Sequence, residues 1–121
     1  MPGKLVHFEV PADDTARARK FWSHVFGWEF GDSAMPDFEY YMVQTGEGQG
    51  GAVMPADKTG SLIIYFDTDD IDASISRVQE LGGSADAKQP IPGVGWFARC
   101  KDTEGNEFSL FQSDESVQMP S

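Results

Sequence analysis

Alternating apolar and polar residues occur twice along the chain, each time followed by an acidic turn and a helical pattern. Residues 5–10 and 62–67 alternate as strands do, and the helices after them are predicted to end near Phe26 and Leu81. The aspartates before each helix are predicted to cap its N-terminus, and the glycines after it permit a left-handed exit. The chain therefore repeats one unit of strand and helix.

Each predicted helix carries an apolar stripe at the spacing of a face that packs on a sheet. The stripes consist of Ala18, Phe21, Trp22 and Val25 in the first helix, and of Ile71, Ile75, Val78 and Leu81 in the second. Strand alternation selects the residues that face these helices. They are Val6, Phe8 and Val10 in the first half and Leu62, Ile64, Phe66, Phe108 and Leu110 in the second.

The repeat extends beyond the helices at one constant offset. In the alignment of the two halves, strand-like residues 40–43 correspond to 96–99, and residues 52–54 correspond to 108–110. A short second strand is expected in each half, at residues 28–30 and 84–88. The predicted fold class is α+β, with two tandem βαβββ modules forming a curved sheet cup and helices on its outer face. The whole chain is read as a single domain.

The module boundaries follow from the same offset. Module one is predicted over about residues 4–54, a linker over 55–60 and module two over about 61–112. Residues 113–121 are polar and are predicted to be a loose tail.

Composition limits the classes of partner. The 121 residues carry a formal net charge of −11, which disfavours nucleic acid and anionic membranes because both repel an acidic surface. No apolar run approaches the roughly 20 residues of a membrane span.

The single cysteine, Cys100, has no partner for an internal disulfide and is interpreted as a small buried residue. A cytoplasmic location is expected.

The strand face away from the helices combines polar and aromatic side chains, as small-molecule pockets do. Alternation places there Leu5, His7, Glu9, Ile63, Tyr65, Asp67, Glu107, Ser109 and Phe111. Further aromatic residues whose facing is open are Trp28, Tyr40, Tyr41, Trp96 and Phe97. His7 and Glu9 share this face, so they are the candidate acid–base pair.

Three stretches resemble one protein superfamily. The octapeptide FWSHVFGW at residues 21–28 resembles a glyoxalase opening, residues 69–73 resemble the start of the second module, and residues 102–110 resemble the closing hairpin. With the repeat, the chain resembles the vicinal oxygen chelate superfamily of glyoxalases, bleomycin resistance proteins and extradiol dioxygenases. It is most similar to the small bacterial proteins related to lactoylglutathione lyase.

The resemblance implies four metal-ligand positions, one on the first and last strand of each module. Carried over to this chain, they are His7, Val53, Ile63 and Ser109. Only His7 has a side chain suited to ligation, so the family's metal site is predicted to be degenerate and no cofactor is expected. Shifting the fourth strand by one residue substitutes Ala52 or Met54, which supply no ligand.

Two functions follow, and the sequence leaves both open. The first is a small-molecule-binding protein that sequesters a partly aromatic or apolar ligand without metal. Its predicted contacts are Leu5, His7, Glu9, Val53, Ile63, Tyr65, Ser109 and Phe111. The second is a lyase, isomerase or oxygenase of glyoxalase or dioxygenase type that uses a divalent metal, or His7 and Glu9 as acid–base groups. The resemblance also implies a homodimer, with the cup formed in one chain or across two.

Overall fold

The computed structural model describes residues 3–35, 37–56 and 60–118 and divides the chain into two compact units. Module one is Val6–Ile63, and module two is Ile64–Ser121 together with the N-terminal residues up to Leu5. The N-terminus belongs to module two because the N–H of Gly3 donates to the carbonyl of Asp67 and the N–H of Asp67 donates to Lys4. Each module contains one helix and several strands.

Module one has the order β2-β3-β4-β1, with β3 antiparallel and β1 parallel to β4. Its elements are β1 (Leu5–Ala12), α1 (Thr15–Phe26), β2 (Ser33–Met35), β3 (Phe38–Gly46) and β4 (Gln49–Pro55). The predicted second strand at residues 28–30 is wrong, because the strand forms at β2 instead. Trp28 and Phe30 pack against each other, with ring centroids 6.4 Å apart.

Module two has the order β5-β9-β8-β6, and β7 also pairs with β8. Its elements are β5 (Ile63–Asp67), α2 (Ile71–Glu80), β6 (Ser84–Ala85), β7 (Gln89–Ile91), β8 (Gly95–Lys101) and β9 (Glu107–Ser113). β5 is parallel to β9, and β8 is antiparallel to it. The predicted strand at 84–88 is present only in its first two residues.

The predicted loose tail is wrong for the residues that the structure describes beyond β9. Val117 is only 7% exposed, and its carbonyl accepts a hydrogen bond from Gly93. The N–H of Asp114 donates to Val94. The segment therefore packs on module two, while residues 119–121 lie outside the described residues. The same holds for residues 57–59 of the predicted linker.

The predicted helix caps are confirmed. The carboxylates of Asp14 and Asp70 accept hydrogen bonds from Arg17 and Ala73 at 3.0 and 3.1 Å, which satisfies amides that helix geometry leaves unpaired. Gly27 ends α1 in the left-handed region at φ 73°. The second helix ends at Glu80, one residue earlier than predicted.

Both modules pack their helix on one face of their sheet. The core of module one comprises Val10, Ala12 and Val53, with Phe8, Ala18, Trp22 and Phe30 packed against them. The core of module two comprises Ile71, Ala98, Cys100 and Leu110, with Ile75, Val78, Ala85, Trp96 and Phe108 packed against them. The predicted helix-facing positions are thus confirmed for Phe8, Val10, Phe108 and Leu110.

Three members of the predicted helix stripes lie outside these cores. Phe21, Val25 and Leu81 are 60%, 53% and 66% exposed. In α1 the contact with the sheet runs through Ala18 and Trp22, so the stripe prediction is wrong for its other two members.

Cys100 is buried, as the sequence predicted. Burial raises the pKa of its thiol to about 11, with a smaller contribution from the nearby Asp86 carboxylate. Such a thiol is protonated at neutral pH and is a poor nucleophile. Within the described residues, neither helix has the length and apolar character needed to cross a bilayer.

Candidate functional site

Strand registers in module one bring polar side chains together on the face of the sheet away from α1. His7 of β1 lies opposite Gly50 of β4, Glu9 lies opposite Ala52, and Met42 of β3 also lies opposite Ala52. Tyr40 precedes Met42 by two residues and therefore points to the same side. We call this surface the relay face.

Tyr40 connects the two residues that the sequence singled out as an acid–base pair. Its hydroxyl donates to Glu9 Oε2 at 2.7 Å and lies 2.7 Å from His7 Nε2. Because a carboxylate only accepts and Tyr40 has one proton, the Nε2–H of His7 must be the donor to the Tyr40 oxygen. The chain from His7 through Tyr40 to Glu9, which we call the relay, therefore has a defined direction.

The surroundings of the relay favour a neutral imidazole. Glu9 is 8% exposed, and His7 and Tyr40 are half-buried. Burial lowers the pKa of His7 below its ordinary value of 6.5, and the Glu9 carboxylate acts in the opposite direction with a smaller effect. At neutral pH the His7 imidazole is therefore predominantly neutral.

A depressed His7 pKa makes stability depend on pH in a defined window. The unfolded chain binds this proton more tightly, so the contribution of His7 to stability is complete above pH 6.5 and is lost as pH falls toward the folded pKa. The pKa values of Asp102 and Asp114 are also lowered from their ordinary value of 3.8. The contributions of these two carboxyl groups to stability are therefore lost only at pH values below this window.

We therefore expect the free energy of unfolding to decrease between about pH 7 and pH 5, and this decrease to be smaller in His7→Gln. Urea unfolding at several pH values measures it. The variant His24→Gln is the matched control, because His24 is exposed on α1. An unchanged pH dependence in His7→Gln would contradict the assignment.

The structure contradicts one predicted ligand contact, Val53. This side chain is 0% exposed and packs with Val10 and Ala12 in the core beneath α1. Its neighbour Ala52 occupies the relay face instead. The sequence of β4 hides this alternation, because small or apolar residues occupy both of its faces.

The predicted residues of module two share a face of their own sheet. Tyr65 lies opposite Ser109, and Phe97 lies opposite Phe111. The rings of Tyr65 and Phe97 meet edge to face at 6.4 Å. Ser109 is only 1% exposed, so a bulky substitution there would disturb the packing of module two.

The remaining predicted contacts lie on strands β1 and β5. Leu5 begins β1 and is 38% exposed, and Ile63 begins β5 and is half-buried. Their contact with a ligand stays a prediction, as it does for Tyr65, Ser109 and Phe111.

The residue that sequence reasoning did not select is Tyr40. It stood among several aromatic residues of unknown facing, and Tyr41 beside it was an equal candidate. The structure separates them: Tyr41 lies opposite Val53 on the helix side, with the Arg19 guanidinium 3.7 Å from its ring centroid. Alternation of Tyr40, Met42 and Gln44 along β3 is the sequence signal that marks the relay face.

The described residues can be compared with the metal-ligand positions that the resemblance implies. Among the described residues, no three His, Cys, Asp or Glu side chains cluster closely enough to hold a metal. On the relay face, one imidazole and one carboxylate are already joined by a phenol, and their β4 neighbours are Gly50 and Ala52. Three or four protein ligands are the norm for a zinc site.

Comparison with known families decides the classification. The model of the family described as "Glyoxalase-like domain" matches residues 6–111. The chain belongs to the glyoxalase-like domain family. A glyoxylase-like domain-containing protein of Didymella fabae is 33% identical over 119 residues, which cover 89% of this chain and 92% of that protein.

Solved structures confirm the fold of this glyoxalase-like protein. A methylmalonyl-CoA epimerase from Mycobacterium tuberculosis has a TM-score of 0.71 at 12% identity, covering 92% of this chain and 88% of its own. A hypothetical protein from Bacillus halodurans has a TM-score of 0.71 at 14% identity, covering 97% and 99%.

A third structure bears the superfamily's name. It is a glyoxalase/bleomycin resistance protein/dioxygenase superfamily member from Vibrio splendidus, with a TM-score of 0.66 at 20% identity, covering 92% of this chain and 99% of its own. The resemblance read from the sequence and the α+β fold class are therefore confirmed.

Proposed function

We propose that this glyoxalase-like protein binds a small, partly aromatic or apolar molecule on the relay face, without a resident metal. The observation that carries the proposal is the relay itself. Its three polar groups are joined by hydrogen bonds beside the exposed apolar side chain of Met42. Directional polar groups set in apolar surface are typical of small-molecule sites.

The relay also limits the class of ligand. Because its groups are ordered before binding, a ligand that meets them does not have to supply the entropy cost of fixing their side chains. The Glu9 carboxylate at one end and the net charge of −11 oppose an anionic ligand. Uncharged or cationic molecules with a planar apolar part are the expected ligands.

A ligand screen with and without chelator tests the metal-independent part of the proposal. Planar aromatics and quinones would be titrated by calorimetry and tryptophan fluorescence, before and after dialysis against EDTA, with anionic glutathione conjugates included as compounds expected to bind weakly. We expect the dissociation constant of any ligand found to be the same in both preparations. Binding that disappears with EDTA and returns with a divalent metal would contradict the proposal.

One observation favours acid–base catalysis as a second function. The relay can pass a proton: when neutral His7 accepts one from a substrate, its Nε2 proton can move to the Tyr40 oxygen and the Tyr40 proton to Glu9. The proton then rests on the carboxylate, and the imidazole is neutral again. Incubation of a bound ligand in D₂O separates the functions, because an acid–base enzyme exchanges a weakly acidic carbon-bound hydrogen for deuterium faster than solvent alone, and a binding protein does not.

We also propose that two chains form a dimer, as the resemblance implied. The strand β2 ends the strand order of module one, and an exposed strand edge is commonly covered by another chain. Light scattering at micromolar concentration should give twice the monomer mass. A monomer mass alone would show that this proposal is wrong.

A further inference from the structure

A second surface of module one is concave and lies outside the relay. It is a groove of about 710 Å³ between residues 26–29, which follow α1, and residues 42–45 of β3. Its volume falls within the range typical of small-molecule sites, about 300–1,000 Å³. The groove is open to solvent, and every residue that lines it is described by the structure.

Two aromatic residues, Phe26 and Trp28, are among those that line this groove. Phe26 is 59% exposed, and its ring centroid lies 5.2 Å from that of Trp28. The ring of Trp28 stacks on that of Trp22, with the ring centroids 5.3 Å apart and an interplanar angle of 8°. The aromatic lining is therefore an exposed phenyl ring beside two stacked indole rings.

The groove has one negatively charged side chain and, at the edge of β3, backbone carbonyl oxygens with partial negative charge. Of the eight lining residues only Glu29 is charged, and it is exposed. The carbonyl of Met42 points to this edge of β3, where it accepts from Gly31 at 3.1 Å, so the carbonyl of Gln44, two residues on, points the same way. Within the described residues, β2 pairs with β3 only up to Tyr41, which leaves the Gln44 carbonyl facing the groove.

We propose that this groove is a binding site for a small organic cation with an aromatic or alkyl body, such as a quaternary ammonium compound. The face of an aromatic ring attracts cations through its quadrupole, and a carboxylate and a carbonyl beside it add to that attraction. No basic residue lines the groove, all of whose residues are described, so the local charge agrees with the net charge of −11. The aromatic and acidic residues of this site lie outside the relay, and the site shares Met42 and Gln44 of β3 with the relay face.

Benzyltrimethylammonium is the probe that tests the proposal. In a titration followed by amide NMR, we expect saturable shifts confined to residues 26–29 and 42–45, with a dissociation constant on the order of millimolar. Benzyl alcohol and benzenesulfonate, which keep the ring and lack the positive charge, should bind at least about fivefold more weakly. Absence of a saturable shift, or equal binding of the three probes, would overturn the proposal.

Matched variants test which groups bind the cation. Phe26→Ala should weaken binding about fivefold, while Phe21→Ala, equally exposed at 60% on the same helix, should leave it unchanged. Glu29→Lys should weaken binding about tenfold, while Glu80→Lys, the same charge change in module two, should not. If Phe26→Ala does not fold, the comparison of Glu29→Lys with Glu80→Lys tests whether the groove binds the cation. Equal effects of a variant and its control would show that the groove is not the site.

Discussion

Replacement of Gly95 by alanine should lower the free energy of unfolding by about 3 kcal/mol, one of the largest effects expected of any single methyl group in this chain. A Cβ atom at Gly95 would lie 2.0 Å from the carbonyl oxygen of Gln112 and 3.1 Å from the nitrogen of Asp114. Both are backbone atoms. They cannot move freely, because β8 and β9 are paired from Gly95–Ser113 to Lys101–Glu107.

Urea unfolding of the purified variants measures this effect. Gly31→Ala is the matched control, since a Cβ there meets no described atom within 4 Å and should change stability by less than about 0.5 kcal/mol. A free energy of unfolding for Gly95→Ala within about 0.5 kcal/mol of the parent would show that the β8–β9 pairing is looser than described.

The second large effect is expected from Tyr40→Phe, which should weaken binding of a relay-face ligand at least tenfold, or about 1.4 kcal/mol. The hydroxyl of Tyr40 forms hydrogen bonds with both His7 and Glu9. Without it, each of these side chains loses one hydrogen bond that helps to orient it, and binding must supply more of the entropy cost of ordering them. Calorimetric titration of the parent and variant gives the ratio.

Tyr41→Phe is the control for this experiment. It removes the same hydroxyl group from the next residue, which points to the helix side and donates to Glu39 at 3.0 Å. We expect its ligand affinity to equal that of the parent. If Tyr40→Phe and Tyr41→Phe bind equally well, the relay does not take part in recognition.

The features predicted from sequence are those that short-range patterns determine. Alternation in β1 was unambiguous because valine and phenylalanine alternate there with histidine and glutamate, so it placed His7 and Glu9 correctly on one face. Aspartate before each helix and glycine after the first are local signals in the same sense, and both caps form as expected.

The features that sequence reasoning missed depend on contacts between distant residues. Val53 was named from the metal-ligand positions that the resemblance implies. Strand β4 has no alternation of polar and apolar residues that would have placed this side chain in the core, and its facing is seen only in the pairing with β1. Tyr40 reaches His7 across 33 positions of the chain, a proximity that no local pattern contains. The predicted apolar stripe of α1 was wrong for two of its four members for a related reason, because the sheet contacts only part of the helix.

If the relay face binds the ligand, NMR can show this by locating a bound ligand on the protein. A ligand from the screen would be titrated into isotope-labelled protein, and amide shifts, the His7 ring signals and ligand-to-protein nuclear Overhauser effects would be recorded. We expect the largest shifts at His7, Glu9 and Tyr40, with Overhauser contacts to the His7 and Tyr40 rings. Shifts and contacts confined to other surfaces, with the His7 ring signals unchanged at saturation, would contradict binding at the relay face.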